Sequence, residues 1–380
     1  MKTEKAKGFN DFTGEDAVKR AEIKRIISDC FEKYGFIPAE TPIIEYEDFV
    51  KGNNEKDEAV SDIFKLKDKG KRNLALRYEF TFQLKRIAKN KKLPYKRYQI
   101  GELFRDEPTS QTRFKQFTQC DADILGSTIK DEAELLGMAK EVFDRLGIEF
   151  TVYFNNRKLL NEILEDFKIK NKEQVIREID KLEKLPEKEI LRNLKKYNAE
   201  KILKVFRKEE SFFKKYKAYS EVEELKKYSK YYNVKIVFSP SLSRGLSYYN
   251  GNIFEIKSKK FRDTVCAGGS YKINEINSTG ISFGLDRIAM ISEVNLTANE
   301  ILVVSLNKDK EAVSLAMKLR KNGNKCIVYY GKPSKALDYA NSYKIGKVIF
   351  VGEKELKLKK FKIKDLSTGK EKLITEKKLL

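Results

Sequence analysis

Residues 98–126, YQIGELFRDEPTSQTRFKQFTQCDADILG, read as two strands of alternating pattern joined by a polar loop. The loop holds Arg105, Asp106, Glu107 and Arg113. In the second strand, 117–125, side chains alternate faces. Phe117, Gln119, Asp121 and Asp123 therefore share one side, and Thr118, Cys120, Ala122 and Ile124 the other. An amide and two carboxylates stand where a core-facing surface is apolar. Taken alone, the stretch fits the solvated face of an antiparallel hairpin. The loop points elsewhere: a basic fork, a carboxylate two residues on, then Arg113 and Phe117 suit a site that grips anions.

Outward from the hairpin the pattern alternates between helix and strand. Ile23, Ile26, Ile27, Cys30, Phe31 and Tyr34 recur at helical spacing across 14–34. The strand expected at 36–46 is broken by Pro38 and Pro42, which implies an edge or a bend. A strand at 73–77 leads into Tyr78-Glu79-Phe80-Thr81 and a helix to about residue 90, for which Thr81 is a ready N-cap. Leu135, Leu136, Ala139, Val142, Phe143 and Leu146 predict a helix over 131–146, and a strand follows at 150–154. Residues 159–232 are lysine-rich, poor in glycine and helical in propensity. They fit a solvated spacer and a basic arm over RNA equally well. Strand character returns at 234–239 and 253–257. After residue 299, strands 301–306, 326–330 and 348–351 alternate with helices 311–322 and 334–343, a small α/β domain with a binding pattern and no catalytic one.

Composition narrows the function classes. Of 380 residues, 41% are hydrophobic and 36% charged, which describes a soluble globular chain. The formal charge of +22 fits either lysine-rich solvated surfaces or a polyanionic partner. The start, MKTEKAKGF, lacks a signal-peptide core, and no apolar run suits a membrane span, so a cytoplasmic location is expected. Cys30, Cys120, Cys266 and Cys326 are scattered with no CxxC pair, which argues for reduced thiols and against zinc. Histidine is absent, which excludes histidine acid–base chemistry, Ser-His-Asp and Cys-His nucleophile systems, and histidine metal sites. There is neither a GxxxxGK[ST] loop nor a GxGxxG turn, so bound ATP would have to be held by arginine forks.

Four segments carry a family resemblance: Arg77-Tyr78-Glu79-Phe80-Thr81; the hairpin; Ser243-Arg244-Gly245-Leu246-Ser247-Tyr248-Tyr249; and the pair Cys266-Ala267-Gly268-Gly269-Ser270-Tyr271 and Gly280-Ile281-Ser282-Phe283-Gly284-Leu285-Asp286-Arg287. In this order they resemble the class II aminoacyl-tRNA synthetases, histidyl-tRNA synthetases in particular. The hairpin corresponds to motif 2, the last segment to motif 3 and the helix–strand–proline start to motif 1. The third segment is similar to an RGLDYY signature with Ser247 in place of aspartate. The fourth is similar to CAGGRYD, with Ser270 and Lys272 replacing arginine and aspartate.

The resemblance spans nearly the whole chain and implies an α+β catalytic domain with a mostly antiparallel sheet. That domain would comprise residues 1–158 and 233–296, interrupted by a helical insertion at 159–232 and followed by an α/β anticodon-binding domain at 297–380. It implies that Arg105 and Arg244 are catalytic. Histidine would be bound by Glu79, Phe80, Thr81, Arg105, Gln119, Asp123, Arg244, Tyr248 and Tyr249. ATP would be bound by Arg105, Glu107, Arg113, Phe117 and Arg287. It also implies ATP with Mg²⁺, L-histidine and tRNA(His) as partners, no dedicated protein metal site, and a homodimer formed through motif 1. The alternative is the regulatory paralogue of ATP phosphoribosyltransferase, which binds histidine without making adenylate. The phosphate-directed arginines and the C-terminal domain argue for the synthetase.

Overall fold

The computed structural model describes residues 3–52, 58–182, 185–244, 248–294 and 300–379. The chain divides into two compact units, Met1–Val294 and Asn295–Leu380.

In the first unit the apolar stripe of helix Gly14–Lys33 turns Ile23, Ile27, Cys30 and Phe31 fully inward. The segment after it does not make one strand. Pro38 and Pro42 lack the N–H a ladder needs, and the chain splits into β1 (Ile37–Pro38) and β2 (Ile44–Tyr46) in two different sheets. β3 (Lys65–Lys67) and β4 (Asn73–Leu76) complete a small three-stranded sheet with β2. The hairpin becomes β5 (Tyr95–Phe104) and β6 (Gln116–Leu125). β7 (Phe150–Asn156), β8 (Ile236–Phe238), β9 (Tyr249–Ser258), β10 (Phe261–Ile273) and β11 (Ile276–Gly284) follow.

Eight of these form the main sheet, in the order β1-β5-β6-β11-β10-β9-β7-β8. Its pairings are antiparallel except β1 with β5 and β7 with β8, so the expected mostly antiparallel α+β sheet is found. One face is covered by helices. Helix Ile129–Arg145 begins at a capping box between Thr128 and Asp131. Its Leu135, Leu136, Ala139 and Phe143 join Phe31, Cys120, Ala122, Ile124 and Phe283 in a single core. Helices Arg157–Asp166, Lys172–Asp180, Glu187–Lys195 and Tyr219–Tyr231 turn Leu160, Ile176, Leu194 and Val222 into that same core.

In the second unit β12 (Ile301–Ser305), β13 (Cys326–Tyr330) and β14 (Lys347–Val351) are parallel, in the order β13-β12-β14. Helices Asp309–Lys321 and Pro333–Ser342 cross between them. Ile301 and Val303 pack with Leu315 and Leu319, whereas Leu302 and Val304 pack with Ala336 and Ala340. Alternation along one strand thus serves a helix on each face. An antiparallel hairpin, β15 (Lys360–Asp365) and β16 (Glu371–Thr375), extends the sheet.

Candidate active site

The polar face of β6 is the floor of the site. Cys120, Ala122 and Ile124 point into the helix-covered core, so Gln119, Asp121 and Asp123 emerge on the opposite face. A Cβ at Gly268 would stand 2.1 Å from the Gly280 carbonyl oxygen, and one at Gly280 would stand 2.2 Å from Asp123 Oδ1. Both glycines let neighbouring strands and a carboxylate pack closely.

Around this floor the expected segments form a ring. Tyr248 Oη donates to Glu79 Oε2 at 3.2 Å, and the Tyr248 and Tyr249 rings lie 4.8 Å apart. The Arg244 guanidinium sits 5.5 Å from the Tyr249 ring and donates to Glu255 Oε1 at 3.1 Å. Glu255 also accepts from Thr264 Oγ1 at 2.7 Å, and the Thr264 carbonyl accepts from Arg287 Nη1 at 2.7 Å. Thr112, on the hairpin loop, donates to Asp263 Oδ2 at 2.8 Å, while the Arg287 guanidinium stands 4.0 Å from that carboxylate oxygen. Glu107 lies 3.6 Å from Arg105 and 3.9 Å from Arg113. Arg105 stacks 5.1 Å from the Phe117 ring and donates through Nε to the Tyr78 carbonyl at 3.1 Å, next to Glu79. The ring closes there.

The electrostatics divide the site into two poles. Arg105, Arg113 and Arg287 lie within electrostatic reach of one another, with Glu107 and Asp263 between them. Burial lowers the pKa of Arg287, but an arginine remains charged. Arg244 holds a left-handed backbone at φ 54°, and its buried Nε has no hydrogen-bond partner among the described residues. A strained residue presenting a spare donor suits an incoming oxyanion. At the other pole, Glu79, Asp121 and Asp123 are all buried. Burial, then the neighbouring Asp123, pushes the Asp121 carboxyl up to about 7. Burial followed by Glu79 raises the Tyr248 phenol, which keeps it a donor.

Several expectations change. Thr81 does not cap a helix: the chain turns at residues 81–83, and only Leu84–Ile87 is helical. Thr81 instead lies within hydrogen-bonding reach of Tyr248. Asp123, expected to be open to a ligand, already accepts from Tyr271 and pairs with Arg97 at 2.9 Å. Ser247 lies outside the described residues. Ser270 donates to Glu132, which also accepts from Asn252 at 2.7 Å. Lys272 faces outward to Glu275 at 3.2 Å.

Arg97, Tyr271, Glu255 and Glu132 were missed as parts of the site. The signal for Arg97 was the hairpin register, which sets it directly across from Asp123. Among the described residues, no three His, Cys, Asp or Glu side chains are grouped as a metal cage. No described helix is long and apolar enough to cross a membrane.

Comparison with known proteins gives the family. The family described as "Histidyl-tRNA synthetase" matches residues 8–288, and "Anticodon binding domain" matches residues 300–380. A relative from Shouchella clausii, "Histidine--tRNA ligase 2", is 34% identical, with 96% of each chain covered. "Histidine--tRNA ligase" of Methanocaldococcus jannaschii is 33% identical over 98% of this chain and 97% of that one. The crystal structure of histidyl-tRNA synthetase from Nostoc sp. PCC 7120 superposes with a TM-score of 0.86 at 22% identity, covering 100% of this chain and 99% of that one. A Bacillus halodurans structure titled as an ATP phosphoribosyltransferase regulatory subunit/histidyl-tRNA synthetase reaches 0.74 at 20% identity, covering 90% and 96%. Two carboxylate-lined and arginine-lined poles on a mostly antiparallel sheet, with a family match across residues 8–288, place this chain in the histidyl-tRNA synthetase family.

Proposed function

We propose that the chain activates L-histidine with ATP to histidyl-adenylate and transfers it to the 3′ end of tRNA(His). The observation that carries this reading is the ring itself, with carboxylates and tyrosine hydroxyls at one end and arginines at the other. Glu79, Phe80, Thr81, Gln119, Asp123, Tyr248 and Tyr249 hold the amino acid. Glu107 accepts from the adenine amino group, Phe117 stacks on the base, and Arg113 and Arg287 grip the distal phosphates.

The histidine carboxylate attacks the α-phosphorus in line, and the bond to pyrophosphate breaks. A carboxylate is ionised at neutral pH and needs no base, which suits a chain without histidine. Arg105 and Arg244 offset the charge that builds on the transferring phosphate. Mg²⁺ enters with ATP as part of the nucleotide substrate and shields the leaving phosphates. In the second step the tRNA hydroxyl attacks the carbonyl carbon, its proton passes to the adenylate phosphate, and AMP leaves.

Residues 1–158 and 233–296 form the catalytic part, 159–232 the helical insertion and 297–380 the anticodon-binding domain of this cytoplasmic enzyme. Ile37, Ile43, Ile44 and Tyr46 are exposed within one short stretch of motif 1, which supports a homodimer there. Sedimentation at micromolar concentration tests the dimer, and a monomer refutes it. The function is tested by pyrophosphate exchange with each of the twenty amino acids. Exchange with histidine alone is expected. Binding of histidine without exchange would favour the regulatory paralogue.

A further inference from the structure

Glu255 stands between two of the arginines that the functional reading assigns to phosphate. Its Oε1 accepts from Arg244 Nη1 at 3.1 Å, and its Oε2 accepts from Thr264 Oγ1 at 2.7 Å. Lys257 Nζ lies 3.8 Å from that second oxygen. The Thr264 carbonyl in turn accepts from Arg287 Nη1 at 2.7 Å. One carboxylate and one threonine therefore join Arg244 to Arg287. The strand pairing explains how Thr264 serves both ends. β9 and β10 shift register on each side of it, between Phe261 and Thr264 and again between Thr264 and Cys266. A bulge interrupts the ladder and re-aims the side chain it carries. The contact with Arg244 also has a specific form. It is made through Nη1, and the buried Nε has no hydrogen-bond partner among the described residues. A two-point pair along the Nε edge would occupy the fork an anion needs, whereas this contact fixes the guanidinium and leaves that edge open. The two side chains are 19% and 14% exposed, so salt screens the pair weakly.

We propose that Glu255 is a positioning residue for adenylate formation: it aims the Arg244 guanidinium at the α-phosphate and, through Thr264, sets the spacing between Arg244 and Arg287. This rests on the reading of the chain as an enzyme that makes histidyl-adenylate. Glu255 touches no reacting atom and acts only through the two arginines. A carboxylate suits the role because it is acceptor-only and takes a donor on each oxygen at once. Its charge also balances the Arg244 guanidinium before the phosphate arrives.

A double-mutant cycle tests it. Pyrophosphate exchange with histidine is measured for wild type, Glu255→Gln, Arg244→Ala and the double variant. Glu255→Gln is expected to lower kcat about tenfold or more, the loss of one charge-assisted contact, with KM for histidine within about twofold. In the Arg244→Ala background the same change should add less than about twofold, because the group it acts through is gone. Losses that multiply overturn the proposal, and so does a wild-type kcat in Glu255→Gln. Binding gives a readout that needs no turnover. Histidinol and its AMP ester are titrated calorimetrically into wild type, Glu255→Gln and Thr264→Val. The AMP ester should weaken about tenfold in Glu255→Gln and less in Thr264→Val, with histidinol unchanged in both. A merely structural role would weaken the two ligands alike, which overturns the proposal. Thr264→Val keeps the carboxylate in place and carries the test if Glu255→Gln folds poorly. Wild type that exchanges pyrophosphate with histidine while Glu255→Gln is indifferent sinks only this inference. Wild type that exchanges with no amino acid sinks the functional reading beneath it.

Discussion

The phenol of Tyr248 donates to the carboxylate of Glu79 at 3.2 Å across 169 positions of sequence. One bond thereby joins the 78–81 loop to the segment that carries Arg244. Burial raises the Tyr248 pKa, so the hydroxyl remains a donor throughout the working pH range. Tyr248→Phe removes the donor and leaves Glu79 less constrained in a buried site. A hydrogen bond to a charged group contributes about 1.5–3 kcal/mol, so KM for histidine should rise about tenfold or more. KM for ATP should stay within about twofold. A mutant whose ATP KM rises in step with that of histidine would show that the bond does not act at the amino-acid pole.

Arg244 is charged, half-buried, strained at φ 54° and held by Glu255 at 3.1 Å. In the proposed mechanism, replacing it with alanine removes charge stabilisation at the reacting phosphate. The expected loss in pyrophosphate exchange is about 10²–10³ in kcat, the usual cost of deleting one preorganised donor. Arg244→Lys should recover only part of it, because an ammonium lacks the planar fork. Near-normal exchange by the alanine variant would remove Arg244 from the mechanism.

Local chemistry made much of this site legible. Helix Gly14–Lys33 was readable because Ile23, Ile27 and Phe31 repeat with the helical period, and the hairpin because its two faces differ in polarity. Residues 78–90 misled for a tertiary reason. Arg77 donates to the carbonyls of Glu102 and Thr41, and Gln83 Nε2 to the Pro42 carbonyl and Glu45. These bonds hold the loop open where propensity alone favours helix. The Arg97–Asp123 pair stayed hidden because it depends on strand register, and a shift of one residue would separate the two. Likewise, β15 was obscured because lysine alternates with its few apolar residues, Phe361 and Ile363.

Glu132 gives a pH dependence to the fold. It is buried on helix Ile129–Arg145, bonded to Ser270 and Asn252, and burial pushes its pKa up to about 7 from an ordinary 4.5. The folded state therefore binds this proton more readily than the unfolded chain. That contribution to stability is fully present below about 4.5 and is lost as the pH rises through about 7. Glu132→Gln is permanently neutral and should remove this component. Subtracting the Tm-against-pH curve of Glu132→Gln from that of wild type should reveal a step between those two values. Parallel curves would show that Glu132 does not titrate there.

The Arg20–Asp286 pair anchors the start of helix Leu285–Ile291 beside Arg287. Arg20 Nη1 donates to Asp286 Oδ1 at 2.7 Å, the Thr118 amide donates to Oδ2 at 2.9 Å, and the Arg20 guanidinium lies 3.8 Å from the Phe12 ring. Asp286→Ala leaves the buried guanidinium uncompensated, a loss of about 3–5 kcal/mol. Denaturant unfolding should show it. The double variant Arg20→Met with Asp286→Leu should recover part of the loss, since an apolar pair leaves no buried charge. A double variant as unstable as the single one would mean that the Thr118 amide bond, and not the ion pair, holds this corner.

Salt should distinguish the two half-reactions of the proposed function. The excess of 79 basic over 57 acidic residues predicts a large phosphate-contact component in tRNA binding. Each neutralised phosphate releases counterion, so log affinity falls linearly with log salt, at about 0.7–0.9 per contact. With about six to ten contacts, affinity drops about 10³–10⁵-fold between about 50 and 200 mM salt. Histidine activation involves no RNA, and its charged contacts lie in a partly buried site that salt screens weakly. Pyrophosphate exchange should therefore change little over that range while the KM for tRNA climbs steeply. Equal salt sensitivity of the two reactions would argue that the basic excess is a solvated surface with no role in gripping RNA.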